Sequence, residues 1–286
     1  MISRIKRIKK VKKIFSFSFY KSNASRVFTL VEKNLKLQIR FKSNFIYSII
    51  SPIFTIFLAF IVLGKIFEST TRLGRWNAAN FYVFLLIAFK IELLRNIIHK
   101  FPNDFVMEKY WKTLSALMIA PINKIHFLLA FFFTHIIVIA IPFAILFILT
   151  YLIWPISFFT VIAIIFIYLL IDLIFSGIGL FLGVFAISEE NYWRILDIGV
   201  TFVFVLSCIT YPLELFPDYL QSIIRLNPLF YIFDIVRLTW LDNNILVTMS
   251  NIPLHFSILI ISAISIPIIA IYIFRVVYNK FGIIGY

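Results

Sequence analysis

Six long apolar runs, at about 45–63, 79–95, 127–153, 156–187, 195–211 and 254–277, constrain this 286-residue chain more than any other feature. The hydrocarbon core of a bilayer is crossed by a helix of roughly 17–25 apolar residues, so each run reads as a spanning helix. The runs are continuous and lack the alternation of a transmembrane β-barrel. Hydrophobic residues make up 62% of the chain, where a soluble domain carries about 45–50%. The expected fold is therefore an all-α polytopic membrane protein with six transmembrane helices. The second run is the least apolar, because Lys90, Glu92 and Arg95 fall in its latter half. Only Trp154-Pro155 separates the third run from the fourth, and proline's missing donor makes that pair a tight helical hairpin.

Charge orients the stack. With the N-terminus inside, twenty-two Lys and Arg residues fall on the inner side and five on the outer side. The positive-inside rule thus puts both termini in the cytoplasm of a multi-pass protein of the plasma membrane. The division expected is 1–43 as cytoplasmic amphipathic, interface helices and 44–286 as the transmembrane domain. In the first segment Ile2, Ile5, Ile8 and Val11, then Val27, Val31, Leu35 and Ile39, recur at helical spacing among basic residues. Such a cationic face suits anionic lipid headgroups, at about 1 kcal/mol per basic residue near the surface. Nucleic acid is the competing partner for a Lys/Arg run; the adjacent membrane favours the lipid surface, and no nucleic-acid partner is expected. The basic stretch runs on too far before the first long apolar run to read as a cleavable signal.

Several chemistries lack their residues. There is no G-x-x-x-x-G-K-[ST] phosphate loop among only eight glycines. His99, His126, His135 and His255 are scattered without metal-ligand spacing, and the lone Cys208 lies in an apolar run. No G-x-S-x-G nucleophile turn occurs. Gly179 and Gly183, four apart in the fourth run, suit close helix packing. The chain is expected to be neither an enzyme nor the holder of a cofactor or metal. Thirty-five phenylalanines are read as packing and lipid-facing residues.

Three segments stand out as functional. Thr210–Trp240 is too polar and proline-rich to cross the bilayer, yet too apolar for an ordinary loop. It reads as a re-entrant helical hairpin (212–240) on the outer side, broken at Pro217 and Asn227-Pro228, between the fifth and sixth spans. Irregular backbone at membrane depth needs protein or water to satisfy its polar groups; a plain surface loop is the alternative. The cytoplasmic loop 102–124 contains a short amphipathic helix over 108–117, with Tyr110, Leu114 and Leu117 on one face and Trp111 and Met118 flanking it. Either it floats on headgroups or it docks a cytoplasmic motor. Residues 188–194, with Glu189 and Glu190, form a second candidate contact. Inside the membrane, Asp172 lies about 24 Å from the outer end of its span, a position that costs roughly 2.5–3.5 kcal/mol for a carboxylate. Arg95 or Lys90, at similar depth, is its expected partner; protonation with snorkelling lysine and arginine is the alternative.

The segment 34–64 resembles the approach to the first span of the type-2 ABC exporter permeases, with Arg40 and Pro52 in the family's places. Residues 108–124 are similar to that family's acid, Gly-Thr-Leu-Glu and Ala-Pro pattern. Thr113-Leu114 and Ala120-Pro121 match, while Lys112 stands where glycine is usual and Ser115 where glutamate is. Pro212, Phe216-Pro217, Asn227-Pro228 and Arg237 follow the family's third pattern, with Phe216 in place of leucine.

The resemblance implies the permease subunit of an ATP-driven exporter. It would act as a homodimer, or paired with a paralogous permease, above separate ATPase subunits that bind ATP and Mg. A coupling helix at 105–120 would use Glu108, Tyr110, Trp111, Thr113, Leu114, Leu117 and Pro121, with Glu189 and Glu190 in support. An exit gate would be built from Pro212, Phe216, Pro217, Leu226, Asn227 and Pro228. The expected cargo is amphipathic: a lipid, a lipid-linked glycan or a hydrophobic drug. The alternatives are a polysaccharide or teichoic-acid type exporter, and an ion-coupled secondary transporter or membrane scaffold without an ATPase, using Lys90, Glu92 and Asp172.

Overall fold

A computed structural model describes residues 24–40, 74–112, 124–188 and 190–281, with scattered positions between 43 and 65. The described residues form helices joined by short turns. Residues 24–40 are helical, followed in the chain by α1 (Phe81–Tyr110), α2 (Lys124–Ile153), α3 (Phe158–Ser188) and α4 (Glu190–Val205). A 3-10 turn at Leu213–Leu215 leads to α5 (Asp218–Ile224), α6 (Pro228–Asp242), α7 (Ile245–Asn251) and α8 (Pro253–Phe281). Among the described residues three helices are long and apolar enough to cross a membrane: Leu128–Ile153, Phe158–Ala186 and Pro253–Val277. They coincide with the third, fourth and sixth apolar runs. The expected first span lies almost wholly outside the described residues.

α3 is the central helix, with α1 along one side and α8 along another. Glycines let the backbones approach. A Cβ on Gly179 would stand 3.0 Å from the Ile97 carbonyl oxygen and 2.9 Å from Phe101, and one on Gly183 would stand 2.6 Å from Phe105. Gly177 faces Pro267 of α8 at 3.0 Å in the same way. Small residues at helix contacts are the means by which helices associate in lipid, where no hydrophobic drive operates between them.

This packing corrects one expectation. The second apolar run does not give way to a cytoplasmic loop near Pro102: α1 continues through that proline to Tyr110. Proline removes one helical hydrogen bond. Opposing that loss, Phe101 and Phe105 fill the space that Gly179 and Gly183 leave open, and both rings are buried. Residues 108–110 are thus the last turn of a 30-residue helix, about 45 Å long, and not the first turn of a separate one. The helix ends at Trp111, and Lys112 follows with φ 57° in the left-handed region. Glycine is the residue that adopts this conformation freely, and Lys112 holds the place where the family pattern has glycine. Lys112→Gly is expected to raise the unfolding free energy by about 1 kcal/mol, measurable as an upward shift in thermal midpoint.

The fifth apolar run also differs from expectation. α4 stops at Val205, six residues short, and Cys208 turns the chain at φ 56°. The cause is a set of side chains that accept the role of the missing helical turns, described next.

Candidate functional site

The insert 212–240 is built around the open end of α4. Asn227 caps α6 by accepting from the Leu229 amide at 3.0 Å, and Pro228 occupies the first helical position, where its missing donor costs nothing. The same Asn227 side chain donates to the Val203 carbonyl at 2.6 Å. Arg237, buried within α6 itself, donates to the Cys208 carbonyl at 2.6 Å and to the Ile209 carbonyl. Its guanidinium lies over the Phe84 ring of α1, 4.2 Å from the centroid. Carbonyls that a broken helix leaves open must find donors wherever water is scarce, and the insert supplies them.

Around that clamp the insert is helical, as expected, with breaks at Phe216-Pro217 and at Asn227. Pro212 is buried ahead of the 3-10 turn, Phe216 is half-buried with its carbonyl accepting from Gln221 at 2.8 Å, and Pro217 precedes α5. Leu226 is exposed at the tip between α5 and α6. α6 buries Ile232, Phe233, Ile235, Val236 and Trp240 in the main core. The additional helix α7, capped by Asn244, was not anticipated.

The interior charges pair differently from the expected arrangement. Asp172 bonds neither Arg95 nor Lys90; its Oδ1 lies 2.8 Å from His135 Nδ1, with both side chains buried between α2 and α3. Arg95 instead donates to Glu92, one turn earlier, at 3.0 and 3.1 Å, and lies over Phe204. Lys90 does not snorkel. It is 0% exposed, donates to Thr150 at 2.9 Å, and its Nζ sits 4.1 Å from the Trp240 ring centroid. His99, further along α1, meets Asp197 of α4 at 3.0 Å. Neither His135 nor Trp240 was singled out from sequence. The available signal for the first was a histidine set in an apolar run.

At the C-terminal end of α1 the expected coupling residues separate into two groups. Glu108 is buried and forms an ion pair with Lys33 of the helical segment 24–40, which also seats Leu30 and Val31 against Ala130 of α2. Glu108 therefore latches the N-terminal helix to α1 and faces away from solvent. Tyr110 and Trp111 are exposed, 67% and 41%. Burial pushes the Asp104 carboxyl up to about 6 and the Lys100 ammonium down to about 8 in the two turns before them. Thr113, Leu114, Leu117, Pro121 and Glu189 lie outside the described residues, as does the side chain of Glu190, the first residue of α4. No group of three or more His, Cys, Asp or Glu that could hold a metal occurs among the described residues.

The family model described as ABC-2 type transporter matches residues 25–241. The match runs from the N-terminal helical segment to the last turn of α6, and so includes Lys33, Glu108, Asn227 and Arg237. No curated protein matches the chain.

Proposed function

The chain belongs to the ABC-2 type transporter family, and from that premise we propose that it is the permease half of an exporter driven by separate ATPase subunits. It is a membrane-embedded transport permease. In this reading two copies pair in the plasma membrane with both termini cytoplasmic, six spans each, and ATP and Mg sit on the partner ATPases. Cargo is an amphipath, a lipid, lipid-linked glycan or hydrophobic drug, that leaves beneath the outer insert 212–240. The observation that carries the reading is α1 itself. One continuous helix has Tyr110 and Trp111 exposed at its cytoplasmic end and Phe84 beneath Arg237 of the insert at the other.

Tyr110 and Trp111 are the contacts we assign to the ATPase, because large aromatic residues dominate binding energy at interfaces. Glu108 contributes indirectly, by holding the helical segment 24–40 against α1. The alternative, an ion-coupled transporter, would use Lys90, Glu92 and Asp172, of which Glu92 is bonded to Arg95 and Asp172 to His135; the family match favours the exporter. The test is co-purification of the ATPase with the permease. Tyr110→Ala combined with Trp111→Ala is expected to weaken association by about tenfold or more, with the permease still folded. Undiminished association would remove this contact from the account.

A further inference from the structure

We propose that Lys90 is the positioning residue that makes the outer insert follow α1; the inference rests on the coupling role given to α1 above. Lys90 is a fully buried lysine whose contacts come from three helices other than its own. Thr150 of α2 accepts its hydrogen bond at 2.9 Å, and the rings of Trp240 of α6, Phe147 of α2 and Tyr168 of α3 lie 4.1, 5.1 and 5.7 Å from Nζ. Among the described residues no carboxylate stands within ion-pair distance of it, whereas Glu92 is taken by Arg95 and Asp172 by His135. A lysine buried without a counter-ion is costly in a membrane protein. A methionine of similar length would fill the same space without that cost. What the lysine nitrogen adds is its hydrogen bond to Thr150 and its N–H contacts with the ring faces.

The ring closest to it belongs to the insert. Trp240 is itself fixed on its other side: its Nε1 donates to the Trp154 carbonyl at 3.1 Å, and its ring meets Phe147 edge-on. One turn earlier on α6, Arg237 rests on Phe84, six residues before Lys90 on α1. Two nitrogen–ring contacts about 9 Å apart along α1 fix both the position and the tilt of α6. From Lys90 the same helix runs on without a break to Tyr110. A displacement imposed at the cytoplasmic end therefore reaches α6 through Lys90 and Phe84.

The experiment uses the permease with its ATPase. Lys90→Met is expected to reduce export at least tenfold while ATPase association and basal hydrolysis stay at the wild-type level, and Lys90→Arg to recover most of the export. Spin labels at Tyr82→Cys and Tyr219→Cys, both exposed positions, in a Cys208→Ser background, report the α1-to-insert distance by pulsed electron resonance. With doubly labelled permease diluted among unlabelled copies, so that the distance within one protomer is read, the otherwise wild-type complex is expected to give one narrow distance, the same without nucleotide and with ATP trapped, and Lys90→Met a broad one. Export by Lys90→Met at the wild-type rate overturns the proposal, as does a label distance that changes with nucleotide. If Lys90→Met does not fold, the label distance in the complex that retains Lys90 decides alone. Absence of ATPase binding to the unmodified permease defeats the coupling reading and this inference together; a complex that exports normally with a changing distance defeats only the inference.

Discussion

Arg237→Leu is expected to abolish export and to lower the thermal midpoint of the purified permease, the largest effect of any single substitution in the insert. Leucine fills much of the volume, but the Cys208 and Ile209 carbonyls lose their donor in a buried setting. Hydrogen bonds to a charged group contribute about 1.5–3 kcal/mol each, and a stranded buried acceptor costs about 1–3 kcal/mol. The stacking on Phe84 is lost as well. Asn227 still donates to the Val203 carbonyl, but the two carbonyls of the turn at Cys208 lose the donor that ties them to α6, so that turn and the seat of α6 loosen together. Arg237→Lys keeps the charge but presents a point donor instead of a planar fork, and is expected to lie between the two. Thermal unfolding in detergent and export by the same preparations check this. A leucine variant with the wild-type midpoint and wild-type export would show that the end of α4 does not depend on Arg237.

Gly179→Leu is expected to prevent accumulation of folded permease. Even the first carbon of any side chain there would meet backbone atoms of α1, 3.0 Å from the Ile97 carbonyl and 3.2 Å from the Ile98 Cα, which no rotamer change relieves. Overpacking by a methyl group or two costs about 1–3 kcal/mol in a tight core, and leucine adds more than that. The helices would have to separate along the contact that keeps α1 straight past Pro102. Gly199 on α4 is the control, because a Cβ there meets nothing within 4 Å; Gly199→Leu is expected to fold normally. Folded yield by size-exclusion chromatography in detergent separates the two. Equal yields would mean that the α1–α3 contact is looser than the structure has it.

Both predictions concern features that the sequence conceals, for a common reason. The helices α2, α3 and α8 are legible because each carries an apolar run that only a membrane or a core can accept. The early stop of α4 is not legible, because an apolar run cannot reveal that its last carbonyls are claimed by Asn227 and Arg237, some twenty-four to twenty-nine residues later. The continuation of α1 through Pro102 likewise depends on glycines of α3 facing Phe101 and Phe105. Local propensity favours a break there, and tertiary contact overrides it. A carboxylate at the depth of Asp172 needs a partner, and a sequence points first to residues that carry charge by default, Arg95 and Lys90. His135 acquires its role from the carboxylate beside it. By contrast the Glu92–Arg95 pair stands at helical spacing, and the breaks at Pro217 and Asn227-Pro228 follow from proline's geometry. The position of Lys112 joins both kinds of evidence, since the family pattern has glycine where the structure has a left-handed residue.

As the permease half of an ATPase-driven exporter, the chain is expected to move cargo only when the ATPase drives it. The most direct measurement is export of a fluorescent lipid from proteoliposomes containing the permease with and without its ATPase. Transport is expected only with the ATPase and ATP together, and is expected to stop when the ATPase carries a hydrolysis-blocking substitution. Transport at an equal rate by the permease alone, without ATP, would contradict the account.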